Sequence, residues 1–293
     1  MSEVYSPLRY PGGKAKLAPF IKYLINTKLN GEIDTYIEPF AGGAGVALDL
    51  LMNGTVENII INDYDKSIYS FWKAILLEPN RFIQQIMNTD VSIDEWKKQK
   101  VIYDTQKNKY SFELGFATFF LNRTNRSGIL TAGPIGGYNQ DGNYLINARY
   151  NNEMLAKKVD NISKYKKFIK VYNKDIRSFI TQIIFEYQRK AFIYFDPPYY
   201  SKGKELYKNH FQMKDHQEVH DLITDNIDFP WIITYDDEQC ITDMYREYLI
   251  KRYNLVYSLA NKGISSEIMI FSDDNLCPKN NELILNKIKT KLI

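Results

Sequence analysis

Asp196-Pro197-Pro198-Tyr199 follows directly on the apolar run Ala191-Phe-Ile-Tyr-Phe195. Two consecutive prolines remove backbone donors and stiffen a turn. A carboxylate, a proline carbonyl and an aromatic ring are thereby held around one point at a strand's end. This set suits an exocyclic amine on a nucleobase. Such an amine delocalises its lone pair into the ring and is a weak nucleophile. Asp196 and the Pro197 carbonyl can accept both its N–H groups and draw the nitrogen toward tetrahedral geometry, while Tyr199 stacks on the ring. Attack on a sulfonium methyl then needs proximity and alignment more than a strong base. The plainer alternative is a rigid surface turn.

A second constellation concerns the cofactor. The run Asp34-Thr-Tyr-Ile-Glu38-Pro39-Phe40 leads into Gly42, Gly43 and Gly45 and then a helical pattern. Glycines there permit a tight turn and close approach of a ligand to the backbone, although close strand–helix packing asks for the same residues. The next apolar run ends in Asn62-Asp63, about 20 residues on, where nucleotide folds place an acid against ribose hydroxyls. A carboxylate can accept from both hydroxyls of a diol; it can equally cap the following helix. A dinucleotide and S-adenosylmethionine both carry an adenosine, and the Asp196–Tyr199 motif favours the second.

These residues need elements to position them. Short β-branched and aromatic runs predict strands at 34–40, 57–63, 167–173, 190–196 and 230–236, with 253–259 and 267–272 flanking a turn at 261–266. Helical patterns at 43–53 and 66–77 fall between strands. This alternation predicts an α/β fold with a mixed seven-stranded sheet. In such a sheet ligands bind beyond the carboxyl ends of strands where the strand order reverses, so the 38–45 loop and Asp196–Tyr199 are expected on adjacent central strands. The alternation breaks between residues 72 and 165, with helical patterns at 79–88 and 92–121 and a glycine- and asparagine-rich stretch at 122–152. We therefore expect a catalytic domain of residues 1–71 and 166–293, with 72–165 an inserted lobe. The lobe carries 13 basic against 9 acidic residues, whereas the whole chain nets only +3, so the positive excess is concentrated where a nucleic-acid surface is expected.

Composition bounds the remaining classes. The 293 residues are 44% hydrophobic, enough for a sizeable core and against wholesale disorder. No apolar run reaches bilayer-crossing length, and the N-terminus lacks an apolar leader, so a cytoplasmic protein is expected. Two cysteines make neither a disulfide framework nor a zinc site. His210, His216 and His220 read as helix-surface residues, and no metal is implied. The 23 tyrosines and 16 phenylalanines suit an aromatic core or a stacking surface for bases.

Taken in order along nearly the whole chain, these motifs resemble the D12-class (Dam-like) DNA adenine-N6 methyltransferases. Leu8-Arg-Tyr-Pro-Gly-Gly-Lys14 is similar to the family's opening motif, which implies that Tyr10 and Lys14 bind cofactor. The 38–45 loop is similar to the family's cofactor loop, bringing in Phe40 and Gly42, although Ala44 stands where the family often has a second glycine. Asp63 matches the ribose acid, Asp175 an acid near the cofactor adenine, and Asp196 a group serving both cofactor and chemistry. Phe119-Phe-Leu-Asn-Arg-Thr-Asn-Arg-Ser-Gly128 and Gly142-Asn-Tyr-Leu-Ile-Asn-Ala-Arg-Tyr150 are similar to the family's target-recognition region. Asn122, Arg123, Arg126 and Arg149 are thus implied DNA contacts. The resemblance implies a site-specific enzyme that moves a methyl from S-adenosylmethionine to N6 of an adenine in double-stranded DNA. The base must be flipped out, since a stacked adenine cannot enter a crevice. A cognate restriction endonuclease in the same restriction-modification system is compatible with it. The rivals are another amine acceptor (cytosine N4, an RNA adenine, a protein glutamine) and a non-catalytic DNA-binding protein; families resembling the former usually carry Ser or Asn where Asp196 stands.

Overall fold

The computed structural model describes residues 5–9, 14–106, 109–187, 190–201, 211–255 and 265–293. The chain divides into two compact units, one of residues 1–13 and 63–173, the other of 14–62 and 174–293.

Seven strands form the sheet: β1 (Thr35–Glu38), β2 (Asn58–Asn62), β3 (Ile169–Tyr172), β4 (Ala191–Phe195), β5 (Trp231–Asp236), β6 (Leu249–Leu255) and β7 (Ser265–Phe271). Their order is β3-β2-β1-β4-β5-β7-β6. β1 is parallel to both β2 and β4, and β4 to β5, whereas β7 is antiparallel to β5 and β6. Every residue of β1, β4 and β5 is buried. That explains why their sequences are near-continuous apolar runs rather than alternating ones. The order reverses between β1 and β4, where Ile37 registers with Ile193. The two chemical motifs thus leave the carboxyl ends of neighbouring strands.

The hairpin begins earlier than the sequence predicts. Leu249-Ile-Lys-Arg252 already pairs with residues 268–271. Its two charges hide a strand that lies at the sheet's edge, where lysine and arginine are the usual guards. Positions 256–259 of the expected strand lie outside the described residues.

In the other unit, helices Lys66–Leu77 and Pro79–Asn88 match their patterns to the residue. The single pattern at 92–121 is two helices, Ile93–Gln106 and Phe112–Thr124. The second starts at Ser111, whose side chain accepts from the Leu114 N–H at 3.0 Å, satisfying one of the donors orphaned at a helix start. Phe71, Phe82, Phe112, Phe116 and Phe119 are fully or almost fully buried. Phe82 meets the other four rings edge-on at 5.4–5.9 Å between centroids, and Phe71 stacks on Phe119 at 6.1 Å. Much of the aromatic excess is therefore core. Tyr64, Tyr138 and Tyr144 are exposed exceptions. His216 corrects its surface reading: it is buried on the helix Met213–Asn226 beside Tyr235, whose hydroxyl lies 3.2 Å from Nδ1; His210 lies outside the described residues. Among the described residues no helix is long and apolar enough to cross a membrane.

Candidate active site

β4 delivers Asp196 to its carboxyl end, one register step beside Thr234 of β5. The Thr234 hydroxyl donates to Asp196 Oδ1 at 2.8 Å and lies 2.8 Å from the Tyr194 hydroxyl. Lys14 Nζ reaches the same Oδ1 at 3.2 Å and Glu267 Oε2 at 3.7 Å. It also stands 4.6 Å from the centroid of the buried Tyr199 ring, in cation–π range. Lys14 and Glu267 are buried, whereas the Asp196 side chain keeps 20% exposure. Burial raises the Asp196 carboxyl above the ordinary range, with Glu267 adding to the rise and Lys14 and Thr234 opposing it. Past Tyr199 the chain is pinned by Asp236, which accepts from the Tyr200 and Ser201 N–H groups at 2.9 and 2.7 Å.

Lys14 is carried by the turn Ala15–Leu17, which is anchored through buried Leu17. A Cβ on Gly45 would stand 2.9 Å from the Ala15 Cβ. That glycine is needed so that the lysine-bearing turn can close on the helix Gly45–Met52.

The loop after β1 is shaped by its backbone. Ala41 N–H donates to Asn62 O at 2.9 Å and Ala44 N–H to Ala41 O at 2.6 Å. Ala44 precedes the helix with φ 45° and ψ 40°, the left-handed conformation that glycine adopts without strain. Glu38 is buried, accepting from the Tyr36 hydroxyl at 3.0 Å and the Ala47 N–H at 3.2 Å. Burial nevertheless pushes its carboxyl up to about 8. Phe40 is half-buried and meets Phe211 edge-on at 6.2 Å, and Gly42 is buried.

The other expected cofactor residues divide. Tyr10 lies outside the described residues. Asp63 is half-buried, and its Oδ1 accepts from the Asp65 N–H at 2.9 Å. The helix-capping alternative belongs instead to Asp65, whose side chain accepts from the Ser67 N–H at 2.8 Å. Asp175 is exposed and caps its own helix, accepting from Ser178 N–H and Oγ at 2.9 and 2.8 Å.

In the helical unit the Asn-Arg motif splits between interior and surface. Asn122 is buried and clasps the Arg9 peptide, accepting from its N–H at 2.7 Å and donating to its carbonyl at 3.0 Å and to Gly128 O at 2.9 Å. Arg123 is also buried, with Nε donating to Arg149 O at 2.8 Å. Burial, then the neighbouring guanidinium groups of Arg9 and Arg149, pull its pKa down to about 10. Asn122 and Arg123 are therefore not surface groups, whereas Arg126 and Arg149 are exposed.

Sequence reasoning missed Thr234, Glu267 and Asn62. Asn62 ties down the loop after β1 by donating to Pro39 O and Lys174 O at 3.0 and 3.1 Å. The available signal was a polar residue set against an apolar strand run, as in Glu267 before Ile268-Met-Ile-Phe271, since a buried carboxylate requires partners.

A family model for D12 class N6 adenine-specific DNA methyltransferases matches residues 10–259. The chain is 30% identical over 211 residues to the type II methyltransferase M.MjaIII of Methanocaldococcus jannaschii, covering 67% of this chain and 70% of that protein. It is 24% identical over 204 residues to the type II methyltransferase M1.LlaDCHI of Lactococcus lactis subsp. cremoris, covering 65% and 64%. A solved rRNA methyltransferase, aviRa of Streptomyces viridochromogenes, aligns over 91% of this chain and 88% of that one, with 12% identity and a TM-score of 0.43.

Proposed function

Because the chain belongs to the D12 class N6 adenine-specific DNA methyltransferase family, we propose that it methylates N6 of a flipped-out adenine at a specific site in duplex DNA, with S-adenosylmethionine as donor. The observation that carries this reading is Asp196 at the mouth of β4, with both observed contacts on Oδ1. We assign Oδ2 to the adenine amine. Accepting one N–H there, with the Pro197 carbonyl taking the other, returns lone-pair density to the nitrogen. The amine would form the N–C bond as the donor's S–CH3 bond breaks and a neutral thioether leaves, and its proton would pass to the Asp196 carboxylate and on to solvent. Tyr199 supplies a ring face for the base.

The residues present fit the donor. The Asp196 carboxylate is complementary to a sulfonium, and the turn after β1 passes through Gly42 at φ 46°, where the missing side chain lets backbone approach a ligand closely. Bound there, S-adenosylmethionine supplies a methyl group on a cationic sulfur. We assign Tyr10, Lys14, Phe40, Gly42 and Asp63 to holding it, with Asp175 facing its adenine.

Residues 72–165 are assigned to target recognition. Exposed Arg126 and Arg149 contact DNA, while Asn122 and Arg123 shape the loop that presents them. A cytoplasmic location follows from that substrate, and the type II names of the two relatives support a restriction-modification setting with a cognate endonuclease. Transfer of tritiated methyl to duplex DNA, RNA and protein side by side tests the reading. Label is expected in duplex DNA as N6-methyldeoxyadenosine; label in cytosine, RNA or protein overturns it.

A further inference from the structure

Glu267 lies fully buried on β7, beyond the motif that meets the base. Its register partners are Asp236 on β5 and Tyr253 on β6. The Tyr253 hydroxyl donates to Oε2 at 2.6 Å, and the same oxygen faces Lys14 at 3.7 Å. A carboxylate this deep is costly unless its charge is used. We infer that Glu267 is a positioning residue for methyl transfer, holding the Lys14 ammonium between two carboxylates so that Lys14 orients Asp196 without cancelling its charge. The inference rests on the reading of Asp196 as the amine's acceptor.

An ammonium confined with Asp196 alone would form a closed one-to-one pair, and its field would weaken the carboxylate as an acceptor of N–H groups. Glu267 takes up part of that field. The cluster keeps one net negative charge, and Lys14 still fixes Oδ1 at 3.2 Å. The groups facing Asp196 are Lys14 from the N-terminal turn, Glu267 from β7, Tyr194 from β4, Glu38 and Tyr36 from β1, and Tyr235 from β5. Of these, Glu38 is mostly protonated near neutrality, and the tyrosines are uncharged. Lys14 and Glu267 therefore set the charge that Asp196 experiences. Asp196 must be ionised to accept from the amine, so activity falls on the acid side as it protonates. Glu267 contributes to the upward displacement of that titration, so removing its charge moves the acidic limb to lower pH while making Asp196 a poorer acceptor.

E267Q keeps shape and removes charge. Its expected result is a kcat lower by about tenfold or more, with the acidic limb displaced downward by about half a pH unit or more. KM for DNA and affinity for S-adenosylmethionine should stay within about threefold, since the lost interaction acts at the reacting amine. Tyr253→Phe keeps the charge and loosens the tether. It should lower kcat by roughly two- to fivefold with the limb unmoved, and it serves as the test if E267Q fails to fold. A wild-type kcat with an unmoved limb in folded E267Q, or an unchanged kcat in Tyr253→Phe when E267Q is unfolded, overturns the inference. Asp196→Asn separates the two levels. If it is inactive while E267Q behaves as wild type, only this inference fails; if it turns over normally, the reading of Asp196 itself fails.

Discussion

In the unit of residues 14–62 and 174–293, polar side chains are buried in order to be aimed. Asp196, Lys14, Glu267 and Thr234 converge within 3.7 Å of one another's polar atoms along a single chain of contacts. In the unit of residues 63–173 the buried polar side chains instead hold backbone. Asn122 grips the Arg9 peptide, and Asn125 accepts from Trp96 Nε1 at 2.6 Å while donating to Ile129 and Leu130 carbonyls. Chemistry at one atom needs side chains fixed by other side chains. Along the Asn-Arg motif two buried residues, Asn122 and Arg123, stand close to the exposed Arg126, the pairing of scaffold and reader that recognition along a duplex would need.

The largest effect expected on the catalytic side is on stability against pH. Glu38 has a folded-state pKa of about 8 against an ordinary 4.5. Between these values the native state holds a proton that the unfolded state has lost. Stability from this group is complete below the lower value and is lost as pH rises through the upper one. The wild-type unfolding free energy should fall relative to Glu38→Gln by about 1.4 kcal/mol per pH unit across that window, measured by urea unfolding at pH 5, 6, 7 and 8. Parallel curves would mean that Glu38 is ionised when buried.

On the other side of the comparison, Asn122→Ala should cost about 3 kcal/mol of stability, because it strips partners from the Arg9 peptide and the Gly128 carbonyl. Arg126→Ala should change stability by less than about 0.5 kcal/mol. It should instead either relax specificity at one base position by roughly 1–3 kcal/mol or flatten the salt dependence of binding if it meets phosphate. Denaturant melts and methylation rates on single-base-altered duplexes at two salt concentrations read both. If Asn122 behaves like Arg126, the contrast between scaffold and reader collapses.

Tyr199→Ala should slow methyl transfer by roughly ten- to a hundredfold, the size of a lost base-stacking contact, with Tyr199→Phe much milder. Equal losses would transfer the role from the ring to the hydroxyl. The smallest effect is at Ala44, whose φ of 45° is costly for any residue with a Cβ. Ala44→Gly should gain about 0.5 kcal/mol once the extra freedom of glycine in the unfolded chain is discounted. A loss in thermal unfolding would show that the methyl group packs well enough to outweigh its strain.

The legibility of the sequence follows the same division. β1, β4 and β5 were readable because strands buried on both faces must be apolar throughout, and the two motifs at their ends stand out against that background. Asp196, Tyr199 and the glycine turn needed only local spacing. Glu267 and Thr234 stand out in the sequence only as polar residues beside apolar runs; what they contact was not readable, since it depends on strands 71 and 38 residues from Asp196 being neighbours of β4 or of each other. The early start of β6 was hidden by Lys251 and Arg252. In the helical unit the letters of the Asn-Arg motif do not tell which members face inward, because a buried Asn clasping a peptide and an exposed Asn are written alike.

If Asp196 makes the adenine amine reactive rather than merely completing the fold, its loss must slow the methyl step itself. Asp196→Ala and the wild type are to be compared under single turnover with saturating S-adenosylmethionine and duplex DNA, digesting the product to nucleosides. Circular dichroism and calorimetric cofactor titration verify that the variant is folded and binds. The expected result is N6-methyldeoxyadenosine from the wild type and a rate at least about a hundredfold lower from the variant. A folded, cofactor-binding Asp196→Ala enzyme that forms N6-methyldeoxyadenosine at close to the wild-type rate would contradict it.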